Sequence, residues 1–311
     1  MGKDMREVYA QTLVDMAKHN EAICVLEADL MAATGTKIFK DAFPDRFFDV
    51  GVAEANMVGV AAGLSSEGKI PFAASFGTFA SRRAFDQFFL SANYAQLNVK
   101  LVGTDPGITA QFNGGTHMPF EDIGLMRLIP NLVIIEPSDI ISCEALVRAA
   151  ADHHGSVYIR LHRKGSQQIY AENEKFSLGK GKVLRDGTDV TLVATGFVMV
   201  AEALKAAKIL EKKNISAAVL DIHTIKPLDN ELILEYVKKT SAIVTCENHQ
   251  AAGGLGGAVA ELLCDEYPTF LGRIGSQDKF GQVGTLEYLI KAYKLTAEDI
   301  AEKAKQVIKK K

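Results

Sequence analysis

The chain has 311 residues, enough for two domains of ordinary size. Hydrophobic residues make up 48% and charged residues 23%, the balance of a soluble globular protein. Thirty-five Lys and Arg against 38 Asp and Glu leave a net charge of −3, which argues against a nucleic-acid binder resting on broad positive charge.

The longest weakly polar stretch, Met57 to Leu64, is far shorter than the roughly 20 residues a bilayer span needs. The first residues, Met1 to Arg6, hold no apolar run of the signal-peptide kind. Cys24, Cys143, Cys246 and Cys264 are widely spaced and form no C-x-x-C pair. A cytoplasmic setting with reduced thiols, no membrane and no nucleic acid is the expectation.

Short apolar runs alternate with helical patterns. The runs read as strands are Ile23–Leu26, Phe47–Val50, Pro71–Ser75, Val99–Val102, Leu132–Ile135 and Val157–Leu161. Each is apolar on both faces, as buried parallel strands require. Helical patterns lie near 4–19, 54–67, 80–96, 120–128 and 139–153. Residues 163–189 are rich in Gly, Lys, Ser and Gln and read as a linker with room for a short strand. The pattern then restarts, with strands near Val190–Ala194, Ala217–Leu220, Ala242–Thr245 and Phe270–Ile274. Helices follow near 199–212, 229–238, 255–266, 285–293 and 297–309. The expected fold is α/β, with two doubly wound domains. Residues 1–182 form a mostly parallel sheet domain with its linker, and residues 183–311 a smaller one.

Three segments could carry chemistry. Asp49-Val50-Gly51-Val52-Ala53-Glu54 puts a carboxylate after a buried strand, where a helix begins and where open α/β sheets bind ligands. Glu54 could equally stabilise the helix N-terminus. The helix from Met57 to Leu64 is apolar nearly all round and is expected to be deeply buried. Ser75-Phe76-Gly77-Thr78-Phe79 sets two aromatic rings after the next strand; core packing is the ordinary reading. Arg82, Arg83, Asp86 and Gln87 just beyond suggest a polar pocket wall, so Arg83 joins the substrate-binding candidates. Asn113-Gly114-Gly115-Thr116-His117 lets backbone approach a ligand, and His117 is a proton shuttle, a donor or a capped loop residue. Gly253-Gly254-Leu255-Gly256-Gly257 opens a helix but fits neither G-x-G-x-x-G nor the Walker pattern, so tight helix packing is expected there.

Together these segments resemble the transketolase family of thiamine diphosphate enzymes, over essentially the whole chain. The carriers are Gly51-Val52-Ala53-Glu54, the Phe76/Phe79 pair, Gly114-Gly115-Thr116-His117, Met126-Arg127-Leu128-Ile129-Pro130-Asn131, and Glu247-Asn248-His249 leading into Gly253-Gly254-Leu255-Gly256. The resemblance covers the pyrimidine-binding and C-terminal domains only. The family's diphosphate-binding domain uses a Gly-Asp-Gly motif to hold Mg²⁺ and the cofactor's phosphates, and this sequence has no Gly-Asp dipeptide. It therefore resembles the C-terminal subunit of a split transketolase. A separate N-terminal subunit would hold Mg²⁺ and diphosphate in an α₂β₂ heterotetramer acting on sugars or sugar phosphates.

The resemblance also implies roles. Glu54 hydrogen-bonds the aminopyrimidine nitrogen and is catalytic; Phe76 and Phe79 pack against that ring; Asp29 lies near the thiazolium. His117 contacts the donor's hydroxyl and carbonyl oxygens. Arg163 falls on a phosphate-binding arginine, and Arg6 on another. Departures concentrate on the substrate side. Ala33 stands for a phosphate-binding Ser, Asp105 for an acceptor-binding His, and Asn113 for a donor-binding Asp, preceded by Phe112 in place of an acid. Asp105 would repel a phosphate. The cofactor machinery thus reads as intact and sugar recognition as rewritten, toward ketol transfer on an atypical, modified or sulfonated sugar. Rival readings are the β-subunit of a thiamine-dependent 2-oxo acid dehydrogenase and a non-catalytic partner subunit.

Overall fold

The computed structural model describes residues 3–165 and 167–311. Apolar runs become central strands of two sheets. The first sheet contains β1 (Ile23–Glu27), β2 (Phe47–Asp49), β3 (Ile70–Phe76), β4 (Lys100–Thr104), β5 (Val133–Ile135) and β6 (Val157–Leu161). The second contains β7 (Lys182–Arg185), β8 (Val190–Ala194), β9 (Ala217–Asp221), β11 (Ile243–Gln250) and β12 (Leu271–Ser276), whereas β10 (Thr224–Lys226) leaves it to join the first. The orders are β10-β5-β6-β4-β3-β1-β2 and β12-β11-β8-β9-β7. All pairings are parallel except those of β10 with β5 and β7 with β9. The expected architecture of two α/β layers with helices on the sheet faces is what the chain adopts.

The differences have local causes. β10 is three residues long and ends beside Pro227, too short for periodicity to register. The helical pattern at 80–96 is present, but as wider π-type turns at Phe79–Arg83 and Phe88–Tyr94 around a short α turn. Such turns are frequent at functional sites. The helix Glu54–Ser66 is not covered on every side: Asn56, Gly59 and Gly63 are exposed, and a Cβ at either glycine would touch nothing. One face of an apolar helix is therefore left open. The glycine cluster before the helix Leu255–Glu266 is a packing device, as expected. Glu247 fills that helix start, accepting the N–H groups of Leu255 at 2.7 Å and Gly256 at 2.8 Å. Cys24, Cys143 and Cys246 are buried free thiols and Cys264 an exposed one. Among the described residues no helix is long and apolar enough to cross a membrane.

The two sheets are joined through Arg160, near the carboxyl end of β6 and fully buried. Its Nε donates to Asp122 Oδ2 at 2.8 Å and its Nη1 to Glu136 Oε1 at 2.7 Å. Its Nη2 donates to the carbonyl of Asn248 on β11 at 2.6 Å. The Asn248 side chain continues the link, accepting from Ile108 N at 3.0 Å and donating to Pro106 O at 2.8 Å. Gly107 must be glycine here: its φ is 51° and a Cβ would run into Asn248. Replacing Arg160 with Met should leave two carboxylates buried without a counter-charge, a loss of about 3–5 kcal/mol. Thermal unfolding should show a fall on the order of 10 °C or loss of soluble protein; a variant melting with the wild type would refute this account.

A second buried charge site lies at the end of β1. Glu27 Oε1 accepts from Thr34 and Thr36 Oγ1, each at 2.7 Å, while Oε2 has no partner. Burial pushes the Glu27 carboxyl up to about 8, against the pull of the two hydroxyls. A raised folded-state value gives stability that is full below the ordinary carboxyl range and is lost as pH rises toward 8. Urea unfolding of Glu27→Gln beside the wild type, at pH 5 and pH 8.5, should show the variant gaining relative stability at the higher pH. An unchanged difference would contradict it.

Candidate active site

The candidate residues converge at the carboxyl ends of β1, β3, β4 and β6, the ligand edge of an open parallel sheet. Glu54 opens the helix after β2 and is only 1% exposed. Ser75 at the end of β3 approaches its Oε1 at 3.4 Å, and Arg83 Nη1 donates to its Oε2 at 2.8 Å. The sequence implied a carboxyl placed for a ring nitrogen alone; the structure adds a guanidinium. The π-type turn at Phe79–Arg83 makes this reach possible, laying the Arg83 guanidinium 4.4 Å from the centre of the Phe79 ring.

Phe76 and Phe79 form a half-buried wall, ring centres 6.3 Å apart and tilted 48°. The edge of His117 meets both, at 5.7 Å and 5.2 Å. His117 Nδ1 lies 2.9 Å from Thr116 Oγ1. Arg82 holds this loop by donating to Thr78 Oγ1 and the carbonyl of Thr116, and it pairs with Glu121 at 3.1 Å.

Beyond Phe76 stands a second charged group. The Arg163 guanidinium is 5.0 Å from the Phe76 ring centre. Its Nε donates to Asp105 Oδ1 at 2.7 Å and its Nη2 to Asp105 Oδ2. Arg6 joins through a shared acceptor: Arg6 Nη1 and Arg163 Nη1 both point at the carbonyl of Ala33, at 3.2 Å and 3.4 Å. Asp105 is thus not a free repelling charge, and Arg163 is not a free cation. Burial raises the Asp105 carboxyl, while Arg163, Lys164 and Arg6 pull it down.

Two candidates stand apart. Asp29 is exposed on the turn after β1, with φ 61°, its amide donating to Asp49 Oδ1 at 3.0 Å. Asn113 is exposed at the end of the loop before Gly114. Residues not singled out from sequence also contribute: Gly281 and Val283 of the second domain, which press on Gly115 and Gly114. Nothing in the sequence signals a contact between loops so far apart along the chain.

The buried carboxylate beside an aromatic wall fits an aminopyrimidine ring, which needs one polar partner and flat apolar contact. No group of three or more His, Cys, Asp or Glu gathers as a metal cage among the described residues. A cleft of about 570 Å³ between the domains lies elsewhere, lined by Glu121, His249, Arg273 and their neighbours, not by Glu54, Phe76 or Phe79.

Comparison with known proteins identifies the two domains. Residues 1–167 match the transketolase pyrimidine-binding domain and residues 179–300 the transketolase C-terminal domain. The chain is 50% identical over 307 residues to 6-deoxy-6-sulfo-D-fructose transketolase subunit SqwH of Clostridium sp. (strain MSTE9), covering 99% of this chain and 95% of that one. It is 45% identical over 311 residues to a Methanocaldococcus jannaschii chain described as a transketolase C-terminal section, covering 99% and 97%. Among solved structures, a split gene transketolase in an inactive beta4 tetramer superposes with a TM-score of 0.92 at 44% identity, covering 99% of both chains. The chain belongs to the transketolase family, carrying its pyrimidine-binding and C-terminal domains.

Proposed function

We propose that this chain is the C-terminal subunit of a split, thiamine diphosphate-dependent transketolase, moving a two-carbon ketol unit between sugars, one of them atypical. The observation that carries the reading is the buried carboxylate of Glu54 set beside the Phe76/Phe79 wall at the ligand edge of the first sheet. The sulfonated sugar in the Clostridium relative's name supports an atypical substrate. In our reading, residues 1–182 are the pyrimidine-binding domain with its linker and residues 183–311 the C-terminal domain.

When bound, the cofactor supplies the carbon nucleophile. The chain's own residues orient and tune it. Glu54 holds a proton at the pyrimidine nitrogen, and Phe76 and Phe79 fix the ring's plane. His117, edge-on to both rings, faces the donor's oxygens. Asp29 lies toward the thiazolium. Arg6, Arg83, Asp105, Asn113 and Arg163 line the sugar's path. Arg83, with half its side chain exposed, is free to swing off Glu54 when the ring arrives.

The partner is an N-terminal, diphosphate-binding subunit that contributes Mg²⁺, in an α₂β₂ heterotetramer of the cytoplasm. Three observations support a partner. The sequence lacks the Gly-Asp-Gly motif, the aromatic wall is open, and the helix Glu54–Ser66 has an uncovered glycine face. The similar split gene transketolase is named as inactive in its beta4 form.

Two measurements test this. With the partner chain and thiamine diphosphate, Glu54→Gln should lower ketol transfer at least about 100-fold, with circular dichroism and melting unchanged. Near-normal turnover would remove Glu54 from its role, and pyruvate-dependent reduction instead of sugar transfer would favour the oxo acid dehydrogenase reading. Native mass spectrometry of the co-purified complex should give two copies of each chain, whereas an active monomer would contradict the assembly.

A further inference from the structure

We propose that Asp105 sets the charge of the subsite for the sugar's far end, so that this subsite takes a monoanionic sulfonate in preference to a phosphate dianion. The inference rests on the transketolase reading of the site. Its own basis is the cluster of Arg6, Ala33, Asp105 and Arg163, one ring away from His117. A sugar that meets His117 and runs along Phe76 arrives at the Arg163 guanidinium.

Three features reduce this cluster's appeal to a dianion. First, Asp105 covers one whole edge of Arg163, taking the Nε and Nη2 donors in the fork geometry that would otherwise clasp a phosphate. Only the Nη1 side is left, and it faces the Ala33 carbonyl. Second, the pair is withdrawn from water: the side chains of Arg163 and Asp105 are 15% and 3% exposed, so their charges are poorly screened. Two guanidiniums and one carboxylate leave one net positive charge there. Asp4 and Lys164 lie on the outer side with opposite signs, Asp4 pairing with Arg6 at 3.3 Å. Third, Ala33 brings an acceptor carbonyl and no hydroxyl, so no neutral donor replaces those Asp105 occupies.

A phosphate monoester carries about −1.5 to −2 at neutral pH, whereas a sulfonate carries a single charge. One net positive charge matches the sulfonate. With Asp105 neutralising Arg163 and occupying its Nε and Nη2 donors, the second phosphate charge finds no counter-charge there, and that shortfall is the discriminating element. Asp105 is a positioning and charge-setting residue acting through Arg163. Its backbone, at φ 56°, is in the left-handed region that Asp, Asn and His tolerate best. Asn and His are therefore the substitutions that change the charge with least disturbance of the turn.

The test uses the complex with its diphosphate-binding partner and two ketoses that differ only at the terminal group, 6-deoxy-6-sulfofructose and fructose 6-phosphate. The wild type should favour the sulfonated donor by kcat/KM. Asp105→Asn and Asp105→His should each move the ratio of the two kcat/KM values toward the phosphate by at least about tenfold. Calorimetry of the complex without thiamine diphosphate should show the same shift in Kd ratio. A wild type that prefers the phosphate, or variants that weaken both donors equally, would overturn the inference while leaving the transketolase reading in place. If the wild-type complex turns over no ketose, the transketolase reading fails, and the calorimetric ratio still decides whether Asp105 discriminates between the two anions.

Discussion

The arrangement depends on one buried guanidinium. Arg160 sits where three things meet: the interior strand β6 of the first sheet, the helix start at Asp122 and the strand β11 of the second domain. A buried arginine is costly unless every donor is used. Here two carboxylates and two carbonyls take four of its five N–H donors, and the acceptors come from three segments, 119–122, Glu136 and Asn248. The carbonyl of Pro119 is one of those acceptors, two residues after His117, so the same charge that joins the domains also anchors the loop bearing the candidate histidine. Tyr158 adds its hydroxyl to Asp122 at 3.0 Å, which keeps that carboxylate aimed at β6. The domain interface and the site loop are thus one hydrogen-bonded unit.

That unit explains why the site belongs to the first domain yet needs the second. The first sheet places Glu54, the aromatic wall and Arg163 along its carboxyl edge. The second domain closes the loop Gly114–His117 from behind, through Gly281 and Val283. β10 crosses back to pair with β5, and Lys226 at its end donates to the carbonyls of Arg127 and Ile129. A hinge between the domains would have to break Arg160, Asn248 and this strand together. The rigid back supports an open front, which suits the partner-completed site we propose.

The fold was largely legible because buried parallel strands are apolar on both faces and the intervening helices are long. Boundaries of β6 and β8 follow directly from that pattern. β10 was not legible and β7 only as room for a short strand in the linker: both are short edge strands whose pairing comes from tertiary contact, not from periodicity. The exposed face of the helix Glu54–Ser66 was misread for a related reason. An apolar composition demands burial but does not say by which chain. In the site, sequence separated Glu54, Phe76, Phe79 and His117 from the background through their motifs. It could not show that Asp105 and Arg163 pair, since a strand-order contact over such a separation leaves no local mark.

The site has an internal symmetry that bears on how selectivity arises. Each ring of the wall carries a guanidinium bound to a carboxylate: Arg83 with Glu54 on Phe79, and Arg163 with Asp105 on Phe76. The two pairs differ in exposure. The Arg83 side chain is 49% exposed, so it has room to leave, and its removal would free the buried Glu54 carboxylate. Arg163 is mostly enclosed and holds both oxygens of Asp105, so separating that pair would strand two charges where water screens them weakly. The first pair therefore acts as a placeholder and the second as a fixture. In the function we propose, a ring arriving at Glu54 would displace Arg83, whereas a sugar reaching Arg163 would have to accept the field that Arg163 and Asp105 set together.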